Sequence, residues 1–237
     1  MDLISKEMSL IMKLFCIPFA GGSATIYRHW KKHLDTAIDL IPIELAGRGN
    51  RLNESFYSSL DEAVADIAKN INLYDLNDEY AIFGHSMGGM LTYNTTLFLE
   101  SMDCVFKKPI IISGCLPPDQ FVLKQQIRDN KSLRQYLLEL GGVAEDFFEN
   151  AEIRNVFLPI IKADFQLYKT YRPTCTKMKS NIVIFYGTED YIGNASLYKD
   201  WWNFTEGKVE FFPFSGNHFF IKDSIVKVAK TLNEILL

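Results

Sequence analysis

Short apolar runs alternate with amphipathic segments along the first half of this 237-residue chain. Each apolar run is rich in β-branched or aromatic residues and has the length of a strand. These runs predict strands at residues 13–17, 39–43, 80–83 and 109–113. The segments between them predict helices at residues 24–34, 63–73 and after residue 90, with N-terminal caps at Ser23 and Ser59 and a capping box at residues 59–62. Such alternation predicts an α/β fold, a mostly parallel, doubly wound sheet with helices on both faces.

The pattern changes after residue 116. Residues 119–171 contain no strand-like run, only helical stretches at 132–140 and 147–168, the second with Pro159 inside. The remaining elements are two strands and two helices, predicted at residues 181–186, 209–212, 194–204 and 224–237. We therefore expect a single domain over residues 1–237 with a helical lid insertion over about residues 117–172.

The apolar side chains of this insertion allow two interpretations. They line an acyl channel, or they form the insertion's own packing. The residues concerned are Phe147, Phe148, Val156, Phe157, Leu158, Ile160, Ile161 and Phe165. Further along the chain, Trp201 and Trp202 are expected in the core.

A Gly-x-Ser-x-Gly pattern, Gly84-His85-Ser86-Met87-Gly88, lies between the predicted strand at residues 80–83 and the helix that follows. A serine at so sharp a strand-to-helix turn needs glycine on both sides, because larger side chains collide with the strand and the helix. The alternative is a chance match in a surface turn. The strand before and the helix after favour the nucleophile elbow of an α/β-hydrolase fold.

A nucleophilic serine needs a base and an acid that orients the base, and in this fold they follow it in the order acid, then histidine. His218 is the one histidine downstream of Ser86, and it lies in a turn-rich segment after a predicted strand. The strand at residues 181–186 leads to two carboxylates. We select Asp190 as the acid and keep Glu189 as the alternative.

Three further features have weaker chemical interpretations. Gly21-Gly22 after the first strand is either the loop that supplies an oxyanion donor in α/β-hydrolases or a plain turn. His29 and His33 have the spacing of two metal ligands, but without an H-E-x-x-H motif or a third ligand they are expected at or near the surface. The loop at residues 47–51, which carries two arginines beside glycines, is either a phosphate site or a solvated turn.

Composition narrows the function classes. Hydrophobic residues make up 48% and charged residues 23% of the chain, as in an ordinary globular protein. The net charge of -4 gives no general attraction for nucleic acid. Four cysteines without metal-binding spacing are expected to be reduced and mostly buried, which favours the cytoplasm. No apolar run reaches the roughly 20 residues of a membrane span, so we expect a soluble protein that is not exported. Residues 1–11 are expected to form a loose leader.

Taken together, five motifs resemble the type II (external, editing) thioesterases of nonribosomal peptide and polyketide synthesis. The likeness runs through residues 14–23, 44–51, 83–89, 158–165 and 216–220, in that order along almost the whole chain. Two departures are Ala46, where that family often has proline, and Lys162, where arginine is usual. Neither departure affects the predicted catalytic triad of Ser86, Asp190 and His218.

The resemblance implies hydrolysis of acyl thioesters on the 4′-phosphopantetheine arm of acyl or peptidyl carrier proteins, which removes stalled or aberrant acyl groups. It also implies that the backbone N–H groups of Ala20 and Met87 form the oxyanion hole. No metal or dissociable cofactor is expected, because the arm belongs to the partner. A monomer is expected, and the balanced charge of residues 116–172 indicates no basic docking face for the carrier.

Three alternatives share parts of this pattern. A carboxylesterase or a medium-chain acyl thioesterase uses the same triad on other substrates. A non-catalytic carrier-protein-binding module keeps the fold but has no need of a complete triad. An acyltransferase passes the acyl group from the serine to an alcohol or amine.

Overall fold

A six-stranded parallel sheet forms the centre of the molecule in a computed structural model that describes residues 11–74, 79–120, 129–143, 145–193 and 195–237. The strands are β1 (Met12–Ile17), β2 (Ile38–Pro42), β3 (Tyr80–His85), β4 (Ile110–Ser113), β5 (Ile182–Gly187) and β6 (Val209–Phe214). Their order across the sheet is β2-β1-β3-β4-β5-β6, and every neighbouring pair is parallel. The predicted parallel α/β sheet is therefore confirmed. Residues 1–10 of the predicted leader lie outside the described residues.

Helices cover both faces of the sheet. They are α1 (Leu60–Asn72), α2 (Met87–Ser101), α3 (Asn130–Glu139), α4 (Ala151–Thr170), α5 (Ala195–Tyr198), α6 (Phe220–Asp223) and α7 (Ile225–Leu236). Alternate residues of each strand enter two separate apolar cores, so that Phe15 packs with α1 and α2 while Leu14 packs with α7. Because both faces of the sheet are covered, the inner strands β3, β4 and β5 are buried at almost every position, whereas the edge strands β2 and β6 carry the exposed residues Asp39 and Glu210.

Helix α1 shows how the sequence sets an element. Ser59 caps it by accepting the N–H of Glu62, as predicted, and Ala63, Ile67 and Ile71 recur at four-residue spacing on its buried face. The capping box is only half formed, however. The Glu62 carboxylate accepts hydrogen bonds from the N–H and hydroxyl of Ser58, one residue before the cap.

The helix predicted at residues 24–34 is wrong in type. The structure has two short 3-10 turns there, Ala24–Tyr27 and Trp30–Lys32. Tyr27 and Trp30 are buried against the sheet, and the Tyr27 hydroxyl donates to the Ile17 carbonyl. These tertiary contacts, together with the low helix propensity of β-branched and aromatic residues, outweigh a continuous α-helix.

The segment between β4 and β5 contains α3 and α4. The second predicted helix begins later than expected, at Ala151, because Asn150 caps it and residues 145–148 form a separate 3-10 turn. Residues 121–128 and 144 of the predicted lid lie outside the described part of the chain. The second half of α4 is anchored, since Ile161 and Phe165 are buried in a small apolar cluster with two leucines of α3.

Two expectations near the C-terminal end need correction. The predicted helix at residues 194–204 is α5 followed by a 3-10 segment, Lys199–Phe204, and Asn194 itself is not among the described residues. Trp201 is buried, whereas Trp202 is 52% exposed, because consecutive residues of a helical turn face different directions. In the ranges that the structure describes, no helix has both the length and the apolar character needed to cross a bilayer.

Candidate active site

Ser86 occupies a strained turn between β3 and α2. Its backbone has φ 56° and ψ −118°, a conformation that residues with a Cβ atom rarely adopt. A Cβ atom at Gly84 would lie 2.0 Å from the Gly88 carbonyl oxygen, and one at Gly88 would lie 2.2 Å from the Ile17 carbonyl oxygen. The two glycines of the motif are therefore required by backbone that cannot move aside.

Three of the side chains selected from the sequence meet at this turn. His218 Nε2 lies 2.9 Å from Ser86 Oγ, and His218 Nδ1 lies 2.8 Å from Asp190 Oδ2. Ser86 is half-buried, whereas the side chains of His218 and Asp190 are buried. A carboxylate only accepts hydrogen bonds, so the proton of a neutral His218 belongs on Nδ1 and leaves Nε2 free to accept the serine hydroxyl.

The loop after β5 fixes which carboxylate faces the histidine. Asp190 also accepts the N–H of Ile192 at Oδ1 over 2.9 Å and the hydroxyl of Tyr198 at Oδ2 over 3.3 Å. The Glu189 side chain is exposed, and its backbone N–H pairs with the Gly216 carbonyl. Asp190 is thus the carboxylate that contacts His218, and Glu189 is not.

The two backbone N–H groups predicted for the oxyanion hole belong to Met87 and Ala20. Met87 begins α2, so its N–H is one of the donors that a helix leaves unpaired at its positive end. Ala20 lies in a tight turn closed by the hydrogen bond from Gly22 N–H to the Phe19 carbonyl, 2.9 Å long. Among the described residues, neither the Ala20 nor the Met87 N–H donates to another protein group.

A second histidine, His85, lies buried beneath the first. Its Nδ1 is 2.9 Å from the Ser113 hydroxyl, and its ring centroid is 5.1 Å from that of His218. Burial lowers the pKa of His85 well below its usual value, and electrostatic interaction with the neighbouring His218 and Lys222 lowers it further. His85 is therefore a neutral packing residue next to the proton relay.

An apolar pocket of about 270 Å³ opens between the Ala20 turn and the segment that contains α3 and α4. Apolar residues and glycines line it: Phe19, Ala20, Gly21, Leu137, Gly142, Val143, Phe147, Ile153, Phe157, Ile161 and Phe219. The apolar side chains of the insertion therefore divide between the pocket wall and internal packing, and an acyl channel stays a prediction. Phe147, Phe157 and Ile161 line the pocket, whereas Phe165 and Leu158 pack within the lid and Val156 is exposed.

Sequence reasoning missed one aromatic residue near the nucleophile. Burial raises the pKa of the Tyr168 hydroxyl well above its usual value, and interaction with the Ser86 hydroxyl opposes that rise. Tyr168 comes from α4, far from Ser86 along the chain, and a single tyrosine in a helix carries no motif that would have identified it.

The arginine loop differs from both of its sequence interpretations. Arg48 is 2% exposed and makes a two-pronged ion pair with Asp164 of α4, at 2.6 and 2.5 Å. Arg51 pairs with Glu54 and with Asp66 of α1. Each guanidinium thus binds protein carboxylates, which argues against a phosphate site. The solvated turn holds only for Gly49 and Asn50, which are exposed, because Arg48 is buried.

The two histidines with metal-ligand spacing lie at the surface. His29 and His33 flank the second 3-10 turn, and both are exposed. Across the described ranges, no three histidine, cysteine or carboxylate side chains gather into a group that could hold a metal ion.

Comparison with known proteins places the chain in a family. The model of the thioesterase domain matches residues 12–236. ClbQ from the colibactin NRPS/PKS pathway has a crystal structure that superposes with a TM-score of 0.84 at 30% identity, covering 94% of this chain and 96% of ClbQ. RedJ, a thioesterase from the prodiginine pathway of Streptomyces coelicolor, superposes with a TM-score of 0.85 at 26% identity, covering 95% of this chain and 85% of RedJ.

A mammalian relative is the medium-chain S-acyl fatty acid synthase thioesterase of Rattus norvegicus, which is 26% identical over 229 residues, 93% of this chain and 86% of its own. The matches to the domain model, to ClbQ and RedJ and to the rat enzyme each cover more than nine-tenths of this chain. The chain belongs to the thioesterase family.

Proposed function

We propose that this chain is a serine thioesterase that hydrolyses acyl groups from the 4′-phosphopantetheine arm of carrier proteins, removing aberrant or stalled groups from a nonribosomal peptide or polyketide synthase. The hydrogen-bonded series of Ser86, His218 and Asp190 carries the proposal, in a chain that matches the thioesterase domain over residues 12–236. The pathways named for ClbQ and RedJ support the class of substrate.

Acylation of Ser86 is the first half of the proposed reaction. Ser86 Oγ attacks the thioester carbonyl while His218 Nε2 takes the hydroxyl proton, and Asp190 holds the imidazole in the required tautomer. The N–H groups of Met87 and Ala20 stabilise the oxyanion, each such donor contributing about 3 kcal/mol in comparable sites. The C–S bond breaks as His218 returns the proton to the departing pantetheine thiol.

Deacylation repeats the chemistry with water. His218 takes a proton from the water that attacks the acyl-serine carbonyl, and then donates it to Ser86 Oγ as the ester bond breaks. The products are a free carboxylic acid and a carrier protein with a free thiol. The phosphopantetheine arrives on the partner, so these steps need no metal or dissociable cofactor. Since one chain supplies every group involved, we expect a monomer to be active.

A second candidate is a thioesterase for medium-length fatty acyl chains. The rat relative carries that description, and the pocket of about 270 Å³ beside Ala20 is lined by apolar side chains that suit an alkyl group. The two candidates share every catalytic step and differ in the acyl group and its carrier.

The test compares acetyl- and octanoyl-phosphopantetheinyl carrier protein with the matching p-nitrophenyl esters. We expect the carrier-bound thioesters to have kcat/KM at least about tenfold above the esters, because contacts with the carrier add to transition-state binding. Ser86→Ala and His218→Ala should each lower kcat by at least about 10³-fold. Ser101→Ala, an exposed serine of the same helix α2, should retain wild-type kcat.

Three results would contradict the proposal in different ways. Faster turnover of the free esters would indicate a general carboxylesterase. A strong preference for the octanoyl group would favour the medium-chain enzyme over an editing enzyme. Carrier binding without Ser86-dependent turnover would indicate the non-catalytic module.

A further inference from the structure

The Arg48–Asp164 ion pair is buried and joins three distant parts of the chain. Both side chains are 2% exposed. Arg48 follows β2, Asp164 belongs to the lid helix α4, and together they lie against the turn after β1. The other Arg–Asp pair of the described residues, Arg51 with Asp66, is about one-fifth exposed on each side.

The pair holds that turn at two backbone groups. Asp164 Oδ2 accepts the Gly21 N–H over 2.7 Å as well as Arg48 Nη1 over 2.6 Å. The same Arg48 Nη1 donates to the Gly22 carbonyl over 3.1 Å. Both held groups lie within two residues of the Ala20 N–H, the oxyanion donor of the proposed mechanism.

The lid helix also fixes the turn by packing. Gly21 has φ +79°, and a Cβ atom there would lie 2.6 Å from Ile161 Cγ1 of α4. Gly22 N–H closes the turn on the Phe19 carbonyl, a geometry in which the third residue needs the positive φ that glycine adopts. The position of Ala20 is therefore set by groups that come from α4 and from the loop after β2.

Stability alone is a weak reason for such a pair. Desolvation of two buried charges offsets most of their attraction, and replacement of a buried ion pair by apolar residues of similar volume is often neutral or stabilising. Oxyanion stabilisation, in contrast, depends on donors that are already in position before the reaction. Apolar replacements can neither accept the Gly21 N–H nor donate to the Gly22 carbonyl.

We propose that Arg48 and Asp164 are positioning residues that hold the Ala20 N–H in place for the tetrahedral intermediate and tie it to the lid helix. This inference rests on the proposed serine mechanism, but not on the carrier protein as substrate. The pair acts through the turn and contacts no reacting atom.

The test is the double variant Arg48→Met/Asp164→Leu, with Arg51→Met/Asp66→Leu as the matched control from the same loop. Hydrolysis of a p-nitrophenyl ester and of the carrier-bound thioester is measured together with urea unfolding. We expect the first variant to lose at least about tenfold in kcat with KM within about twofold, and the control to keep kcat within about twofold.

A transition-state analogue separates positioning from general damage. An acyl trifluoromethyl ketone forms an oxyanion adduct with Ser86, so its inhibition constant should rise in parallel with the loss of kcat/KM. A merely structural pair would lower stability and leave the kcat of the folded fraction unchanged. Wild-type kcat in a folded Arg48→Met/Asp164→Leu protein overturns the inference.

A conservative variant keeps the test decisive if the double variant does not fold. Arg48→Lys retains the positive charge beside Asp164, but one ammonium group cannot reproduce the two-pronged contact and also reach the Gly22 carbonyl. We expect lowered kcat and weaker ketone binding here too, and unchanged values for both overturn the inference. The ester assay decides the matter even if the carrier-bound thioester is not a substrate, since that result counts against the proposed function alone.

Discussion

At the scale of single residues, Asp190 and Glu189 are neighbours in sequence that face different surroundings. Asp190 contacts His218 at 2.8 Å, and Glu189 is exposed. We predict that Asp190→Asn lowers kcat by about 10⁴-fold, since an amide can hold the imidazole in the wrong tautomer, as the same change does in a serine protease. Glu189→Gln should leave kcat within about twofold. Steady-state kinetics on both variants, with circular dichroism as the check on folding, tests the prediction.

The opposite pattern, an inactive Glu189→Gln and an active Asp190→Asn, would reverse the choice of acid. From the sequence we select Asp190 but keep Glu189 as the alternative, because two adjacent carboxylates follow the same strand. Tertiary contacts distinguish the two carboxylates. The backbone N–H groups of Thr188 and Glu189 pair with the segment at and after β6, and Asp190 then turns inward toward His218. The position of β6, which is distant in sequence, therefore decides that the Asp190 side chain and not the Glu189 side chain faces inward.

At the scale of elements, the nucleophile turn depends on close backbone contact between α2 and β1. We predict that Gly88→Ala lowers the free energy of unfolding by at least about 2 kcal/mol, because the new methyl group meets the Ile17 carbonyl at 2.2 Å and neither backbone can yield. Activity should fall with it, since β1 leads directly into the Ala20 turn. Urea unfolding and kcat on the same preparation measure both effects.

The matched control is Gly193→Ala. A Cβ atom there meets the end of the Leu116 side chain at 2.7 Å and the Tyr198 ring at 3.2 Å, and these are side chains, which can shift where backbone cannot. We expect a smaller loss of unfolding free energy in this variant than in Gly88→Ala. Equal stability of Gly88→Ala and the wild type would show that the elbow does not need glycine at this position.

The elements that the sequence predicted well are those set by local chemistry. The β3 strand, the glycines around Ser86 and the Ser59 cap follow from residues a few positions apart. The turns at residues 24–32 and the exposure of Trp202 depend on which face meets the core, and local pattern predicted them wrongly. The Arg48–Asp164 contact spans 116 positions, and neither residue type nor spacing could pair them.

At the scale of the whole molecule, the site collects the ends of parallel strands. Ala20 follows β1, Ser86 follows β3, Asp190 follows β5 and His218 follows β6. Because all neighbouring strands are parallel, their carboxyl ends share one edge of the sheet, which is where ligands bind in such folds. The order of chemistry-bearing residues could be predicted from the sequence for this reason, although their distances could not.

Folding buries His85 and thereby disfavours its protonated form. Burial, His218 and Lys222 lower the pKa of His85 in the folded protein, whereas in the unfolded chain it returns to about 6.5. Below that pH the unfolded chain binds a proton that the folded protein does not. The free energy of unfolding should therefore fall as the pH falls through about 6.5, and the slope due to His85 should approach about 1.4 kcal/mol per pH unit where the unfolded histidine is protonated and the folded one is not.

Comparison of the wild type with His85→Gln isolates this contribution. Urea unfolding followed by tryptophan fluorescence between about pH 7 and pH 5 should give a steeper decline for the wild type, with the difference in slope approaching about 1.4 kcal/mol per pH unit toward pH 5, whatever stability the variant has at neutral pH. His29→Gln changes a histidine that is exposed in the fold and should keep the wild-type slope. Because the remaining histidines are common to both proteins, they cancel in the comparison. Equal slopes for the wild type and His85→Gln would contradict the prediction. They would mean that His85 is protonated in the folded protein as readily as in the unfolded chain.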